Sequence, residues 1–219
     1  MDAADKANLK LRVLSAVVLI PLTVFVLYQG GVLFYIFLVS LFGLSLWEWF
    51  GLAVKTDKRV LFLIAGFVYL LLSFYALFRI QQAFDVALLF VGMVWASDIG
   101  AYIFGKWIGG KKMAPKVSPN KTWAGLIGAI LFPFLVFVVW FIYFEPFVFD
   151  ITLAIGFGFV VTVFFAVACQ AGDLLVSYLK RQAKVKDTGV LIPGHGGVLD
   201  RIDSLLMGGI FMLLLSYVS

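Results

Sequence analysis

The stretch WAGLIGAILFPFLVFVVWFIYF, from Trp123 to Phe144, contains no charged side chain. A helix rises about 1.5 Å per residue and the hydrocarbon core of a bilayer is about 30 Å thick, so a run of this length and polarity is a transmembrane helix. Similar runs lie on both sides of it. They place seven spans at about 11–28, 32–54, 60–78, 86–105, 123–144, 151–170 and 204–218, with 171–180 able to carry the sixth past the bilayer. The whole chain agrees: its 219 residues are 63% hydrophobic and 13% charged, with a mean hydropathy of +1.09. That is more apolar surface than a water-soluble fold of this size can bury. The expected fold is all-α, a polytopic transmembrane helical bundle. No soluble domain, fixed-period repeat or low-complexity tract interrupts it, so residues 1–219 form a single integral membrane domain.

Short loops rich in Lys and Arg stay on the cytoplasmic side. With the N-terminus inside, 16 of the 17 basic residues fall on that side and only Arg79 lies opposite. The net charge of +5 is therefore an orientation signal that also suits anionic lipid headgroups, not a signal for nucleic acid. The first apolar run follows Lys10 and Arg12 as in a secretory signal. It lacks a small-residue cleavage site and leads straight into a second span, so it reads as a retained helix. Cys169 is the sole cysteine, which excludes an intramolecular disulfide and a multi-cysteine metal site and leaves it a packing role.

Carboxylates in bilayer helices are costly and need a partner, a wet cavity or an interface. Glu48, between Trp47 and Trp49 near the inner end of its span, reads as an interfacial or structural acid. Asp98 stands about two turns before a cytoplasmic loop and is followed by Gly100, Ala101, Tyr102 and Gly105. Those residues leave room for a ligand or for a helix-helix hydrogen bond, and both readings fit. In the loop that follows, Ser118, Pro119, Asn120, Lys121 and Thr122 precede a new helix. Hydroxyls, a lysine and free N–H groups at a helix start suit a phosphate, although an ordinary basic loop would look similar and no GxxxxGK[ST] is present.

The second polar concentration is LKRQAKVKDTGVLIPGHGGVLDRIDS, Leu179 to Ser204, with eight charged residues and the one histidine. Asp173, Ser177 and Lys180 share a face if the sixth helix continues, and Asp200 and Asp203 share one as the last helix begins. Asp173, Asp200 and Asp203 together would suit Mg²⁺, a hard ion that takes oxygen ligands and completes its shell with substrate phosphates. Lys180, Arg181, Lys186 and Arg201 would neutralise phosphate oxygens, and Pro193 to Gly197 form a turn whose backbone can approach a ligand. The alternative is that the aspartates cap the last helix and pair with Arg201 while the basic run meets lipid. His195 by itself reads as a turn residue, with no Ser/His/Asp hydrolase context.

The 27 positions from Ser177 to Asp203, with Lys186-Asp187-Thr188-Gly189 and Pro193-Gly-His195-Gly-Gly-Val-Leu-Asp200-Arg-Ile-Asp203, resemble the signature of the phosphatidate cytidylyltransferases, or CDP-diacylglycerol synthases. The resemblance extends to Asp98-Ile-Gly-Ala-Tyr102, to Ser118-Pro-Asn-Lys121-Thr122 and, more loosely, to LKLRVLSAVVLIPL and LWEWFGLA near the N-terminus. The region between Gly51 and Val86 is shorter than in typical bacterial relatives. The resemblance implies N-terminal helices over 1–90 and a catalytic half over 91–219. It also implies a bacterial inner-membrane enzyme with a cytoplasmic active site, joining CTP to phosphatidic acid to give CDP-diacylglycerol and pyrophosphate. Mg²⁺ is implied as cofactor, with a monovalent cation such as K⁺ able to share its acids.

The implied site has Asp173 and Asp200 as primary metal ligands and Asp203 as a further ligand or supporting acid. Ser118, Lys121 and Thr122 fall on phosphates and Asp98 positions metal or nucleotide. Lys180, Arg181, Lys186, His195 and Arg201 hold the triphosphate, the pyrophosphate or the lipid phosphate, with Lys121, Lys180 and Arg201 acting on the reacting groups. Ser177, Asp187, Gly196 and Gly197 line the substrate. Small-residue helix surfaces permit a homodimer. The rival readings are an ion or lipid transporter, for which no inverted repeat is found, and a CTP-dependent lipid kinase, which would release CDP. A CDP-alcohol phosphotransferase would need a DGxxAR motif that is missing.

Overall fold

The structure, a computed structural model, describes residues 17–144, 151–192 and 196–217. Its helices are α1 (Val17–Gln29), α2 (Gly31–Ala53), α3 (Arg59–Ile80), α4 (Phe84–Trp107), α5 (Trp123–Phe144), α6 (Ile151–Gln182) and α7 (Leu199–Leu215). Helices α2 to α6 are each long and apolar enough to cross a membrane. They match the second to sixth expected spans within a few residues, except that α6 runs on to Gln182. Its 32 residues measure about 48 Å at helical rise, well beyond the hydrocarbon core. The last helix starts at Leu199, five residues before the expected span, and the first expected span lies partly outside the described residues, which take it up at Val17.

A two-stranded antiparallel hairpin that periodicity did not predict, β1 (Lys112–Ala114) with β2 (Ser118–Thr122), fills the α4–α5 loop. Gly109 (φ 64°) and Gly110 (φ 86°) turn the chain into it. Both angles lie in the left-handed region, which glycine enters without a Cβ clash.

Large apolar side chains such as Val32, Ile36, Val39, Leu135 and Val139 point outward, as lipid-facing surfaces do. Inside, one cluster joins Trp49, Leu52, Leu70 and Phe74 to Val176, Leu179, Leu199 and Leu206, so α2 and α3 pack directly on α6 and α7. A second gathers Val26, Phe34, Phe90, Val94, Phe165 and the buried Cys169. The first cluster ties the N-terminal helices to the segments that carry the candidate site.

Helices α4 and α5 meet through glycine. A Cβ on Gly100 would collide with the Gly128 carbonyl, and one on Gly128 would strike the Gly100 carbonyl. Small residues thus let α4 and α5 pack closely within the chain, with Gly105 against Thr122 and Gly125 at the start of α5. Gly128→Leu is expected to force the pair apart and destabilise the fold by about 3 kcal/mol, the upper part of the overpacking range. A thermal unfolding midpoint in detergent equal to wild type would contradict this packing.

Candidate active site

Four chain segments converge at one end of the bundle: the end of α2, the hairpin, the end of α6 and the loop into α7. The hairpin is pinned there at both edges. Thr122 Oγ1 accepts the Gly125 N–H (3.0 Å) and caps α5, while Arg181 Nε donates to the Val117 carbonyl (3.1 Å) and its guanidinium also reaches the Val185 carbonyl (3.3 Å). Lys121 is thereby aimed at α6. Its Nζ stands 2.8 Å from Asp173 Oδ2 and donates to Gln170 Oε1 at 2.6 Å. Ser177 Oγ, one turn on from Asp173, donates to its Oδ1 (3.1 Å), so the expected shared face of α6 is present.

Lys180 extends the same helix but reaches a different acid. Its Nζ lies 2.6 Å from Asp200 Oδ1, in a pair whose side chains are 12% and 5% exposed. Asp200 Oδ2 accepts the Thr188 N–H (2.8 Å), the Gly197 N–H (3.2 Å) and stands 3.0 Å from Thr188 Oγ1. That hydroxyl is also 2.8 Å from Glu48 Oε2. It has one proton for two carboxylates, so it can donate to only one of them at a time. Glu48, buried at the end of α2, accepts the Val198 N–H at Oε1 (2.9 Å) and the Leu199 N–H at Oε2 (2.9 Å). A side chain 150 residues upstream therefore caps the first turn of α7.

A third group sits where α4, α6 and α7 meet. Ser204 Oγ donates to Asp98 Oδ1 (3.2 Å), and Asp203, buried, accepts the Ser204 N–H at Oδ1 (2.8 Å). Asp98 and Asp203 are each close enough to Asp173 and Lys121 for the charges to act on one another, and Arg201 acts on Asp98 as well. Close packing sets this up: a Cβ on Gly172 would run into the Asp203 carbonyl.

The structure does not bring Asp173, Asp200 and Asp203 together as one group. Among the described residues no three His, Cys, Asp or Glu side chains stand together as a ready metal site. Asp200 faces Lys180 and the N–H groups of Thr188 and Gly197, whereas Asp203 turns toward Asp98 and Asp173, so the two carboxylates have different surroundings. The acids Asp98, Asp173 and Asp203 still outnumber Lys121 and Arg201. That donor set suits a hard cation held by one or two carboxylates and completed by water and substrate phosphate, the habit of Mg²⁺.

The remaining expected residues are placed less tightly. Ser118 opens β2 opposite Ala114, half-buried, and Lys186, Asp187 and Arg201 are exposed. Gly196 (φ 85°) sits so close to Asp200 and Asp187 that a Cβ there would press on both, and a Cβ on Gly197 would collide with Thr188 and Glu48. Thr122, expected on a phosphate, is buried and has the capping role described above. His195, with Pro193 and Gly194, lies outside the described residues. Reasoning from sequence missed Gln170 and the part played by Thr188, and it left Glu48 without a partner. Gln170 was within reach of pattern reading, being three residues before Asp173 on one helix face.

The sequence profile described as the Cytidylyltransferase family matches residues 54–219. The chain is 38% identical to the phosphatidate cytidylyltransferase of Rickettsia bellii, over 93% of this chain and 88% of that one. It is 36% identical to the protein of the same description from Rickettsia felis, over 94% and 91%. The Brucella suis phosphatidate cytidylyltransferase is 31% identical over 95% and 93%, in an alignment of 263 positions against the 219 residues here. That alignment holds positions this chain lacks, whereas the Rickettsia bellii alignment needs only 213 positions. The paired lysines and aspartates stand within the matched region, and the chain belongs to the cytidylyltransferase family.

Proposed function

We propose that this chain joins CTP to phosphatidic acid, giving CDP-diacylglycerol and pyrophosphate, at the basic end of its bundle on the cytoplasmic side of a bacterial inner membrane. The observation that carries the reading is the pair of bridges Lys121–Asp173 and Lys180–Asp200, both anchored on the C-terminal part of α6, in a member of this family. A nucleotide arrives from water and a lipid phosphate lies at the headgroup level, so only an interfacial site serves both.

The lipid phosphate oxygen attacks the α-phosphorus of CTP in line, the new P–O bond forming as the bond to pyrophosphate breaks. The attacking phosphate is already ionised, so no strong general base is required. The task left to the protein is orientation and charge stabilisation. Lys121 and Lys180 are held by their aspartates in fixed positions from which each can turn to a phosphate oxygen. Arg181 and Lys186, exposed at the end of α6 and beyond it, extend the cationic surface toward the leaving pyrophosphate. Asp173, with Asp98 or Asp203, would hold Mg²⁺, which when bound supplies neutralisation of the nucleotide phosphates. A monovalent ion would share the same acids. Asp200 holds Lys180 and the N–H groups of Thr188 and Gly197.

Pyrophosphate release by the purified protein in detergent, with CTP, phosphatidic acid and Mg²⁺, tests the reading. Release that requires both substrates is the expected result. CDP as the nucleotide product would replace the reading with a lipid kinase, and no reaction from folded protein would remove it.

A further inference from the structure

An elongated cavity of about 560 Å³ lies between α1, α2, α3, α4 and α7, away from the bridges just described. Its walls are almost wholly apolar. The one charged residue lining it is Arg201, and Leu191, Ile192 and Val198, from the loop that precedes Asp200, line it too. From there the cavity follows α2 from Leu44 back to Phe34, about 15 Å at helical rise. That is half of a hydrocarbon core of about 30 Å, the depth of one leaflet.

Helix α7 divides this cavity from the acids. Val198, Arg201, Ile202 and Leu205 recur at helical spacing and line the cavity, while Asp200, Asp203 and Ser204 engage the site residues on α4, α6 and the loop. Arg201 stands at the junction, lining the cavity and lying within electrostatic reach of Asp98. Trp95 lines the cavity one turn before Asp98 on α4, so a second element joins the two spaces at the same level. An apolar slot about one leaflet deep, with a single guanidinium at the end nearest the site and α7 between it and the acids, has the length and charge to take an anionic lipid: head at Arg201, chain below.

We propose that this cavity holds one acyl chain of the lipid substrate, with Arg201 drawing its phosphate to the site, and that the cavity's depth makes the enzyme sensitive to chain length. This rests on the function proposed above and names the part of the molecule that would select among phosphatidates. The volume falls within the range of small-molecule pockets.

The test compares dihexanoyl with dipalmitoyl phosphatidate in mixed micelles, using Leu38→Trp on α2 and Thr23→Trp on α1. Both residues line the cavity, and Leu38 lies ten residues before Glu48, about 15 Å below the level where Glu48 meets α7. A six-carbon chain ends above that depth. KM for the dipalmitoyl lipid is expected to rise about tenfold in each variant, which is about 1.4 kcal/mol or the lost burial of about two methylenes. KM for the dihexanoyl lipid should stay near wild type. Equal changes for both lipids, or none for either, would overturn the proposal.

A phosphatidate carrying a diazirine at the end of its chain gives a readout independent of turnover. Labelling of Phe34, Leu38 or Ala87 supports the assignment, and labelling confined to outward-facing residues such as Ile36 and Val39 refutes it. If the wild type labels the cavity yet forms no product, the lipid site stands and the proposed reaction falls.

Discussion

Asp173→Asn is expected to lower pyrophosphate release by about a hundredfold to a thousandfold, the loss typical when one preorganised charge-stabilising group is removed. Asparagine keeps the size of the side chain and one oxygen, so Ser177 Oγ retains an acceptor. What disappears is the charge that holds Lys121 at 2.8 Å and that would hold a cation against the nucleotide. The side chain is 33% exposed, so its loss as an ion-pair partner costs the fold little, about 1 kcal/mol or less. The expected pattern is therefore a near-normal unfolding midpoint, a large fall in turnover and a higher Mg²⁺ concentration for half-maximal activity. Wild-type activity in a folded Asp173→Asn protein would sink the assignment of Asp173. An inactive variant whose midpoint has dropped by many degrees would make the residue structural.

The helices could be read from sequence because each rests on one property, a long apolar run, that does not depend on neighbours. Trp123–Phe144 was legible to the residue, and 171–180 was open as a continuation of the sixth span, which the structure ends at Gln182. The hairpin was not, because it has only three and five residues in its strands and takes its place from Arg181 and Thr122, side chains at its edges. Spacing alone does not give the surroundings of the acids. A three-residue interval puts Asp200 and Asp203 near one side of α7, but it says nothing about which donors compete for each. Asp200 sits in the first helical turn and is claimed by the Thr188 and Gly197 N–H groups, while Asp203, a turn later, is already beneath α6. Donors in a loop before a helix are invisible to helical periodicity.

Glu48→Ala carries the second large effect, and it reaches the site from the other end of the chain. The substitution removes the acceptor for the Val198 and Leu199 N–H groups in a place from which water is excluded. Hydrogen bonds to a charged group contribute about 1.5–3 kcal/mol each, and breaking a buried charged contact from one side costs about 3–5 kcal/mol, so a loss near 4 kcal/mol is expected. It should appear as a strongly lowered unfolding midpoint in detergent together with loss of turnover. Thr188→Val separates the two consequences. It leaves Glu48 on α7 but removes the hydroxyl lying 2.8 Å from Glu48 and 3.0 Å from Asp200, so stability should fall by only about 1 kcal/mol. Its two carboxylates then face each other without the bridging proton, and Asp200 is left to Lys180 and the backbone. Turnover should fall more than stability does, because Lys180 is positioned through Asp200. If Glu48→Ala unfolds at the wild-type midpoint, the start of α7 is held by α6 and the loop alone. If Thr188→Val loses activity only in proportion to its stability, the contact between the two acids is packing. Otherwise α2, through Glu48, sets the position of the start of α7 and of the Asp200 that it carries.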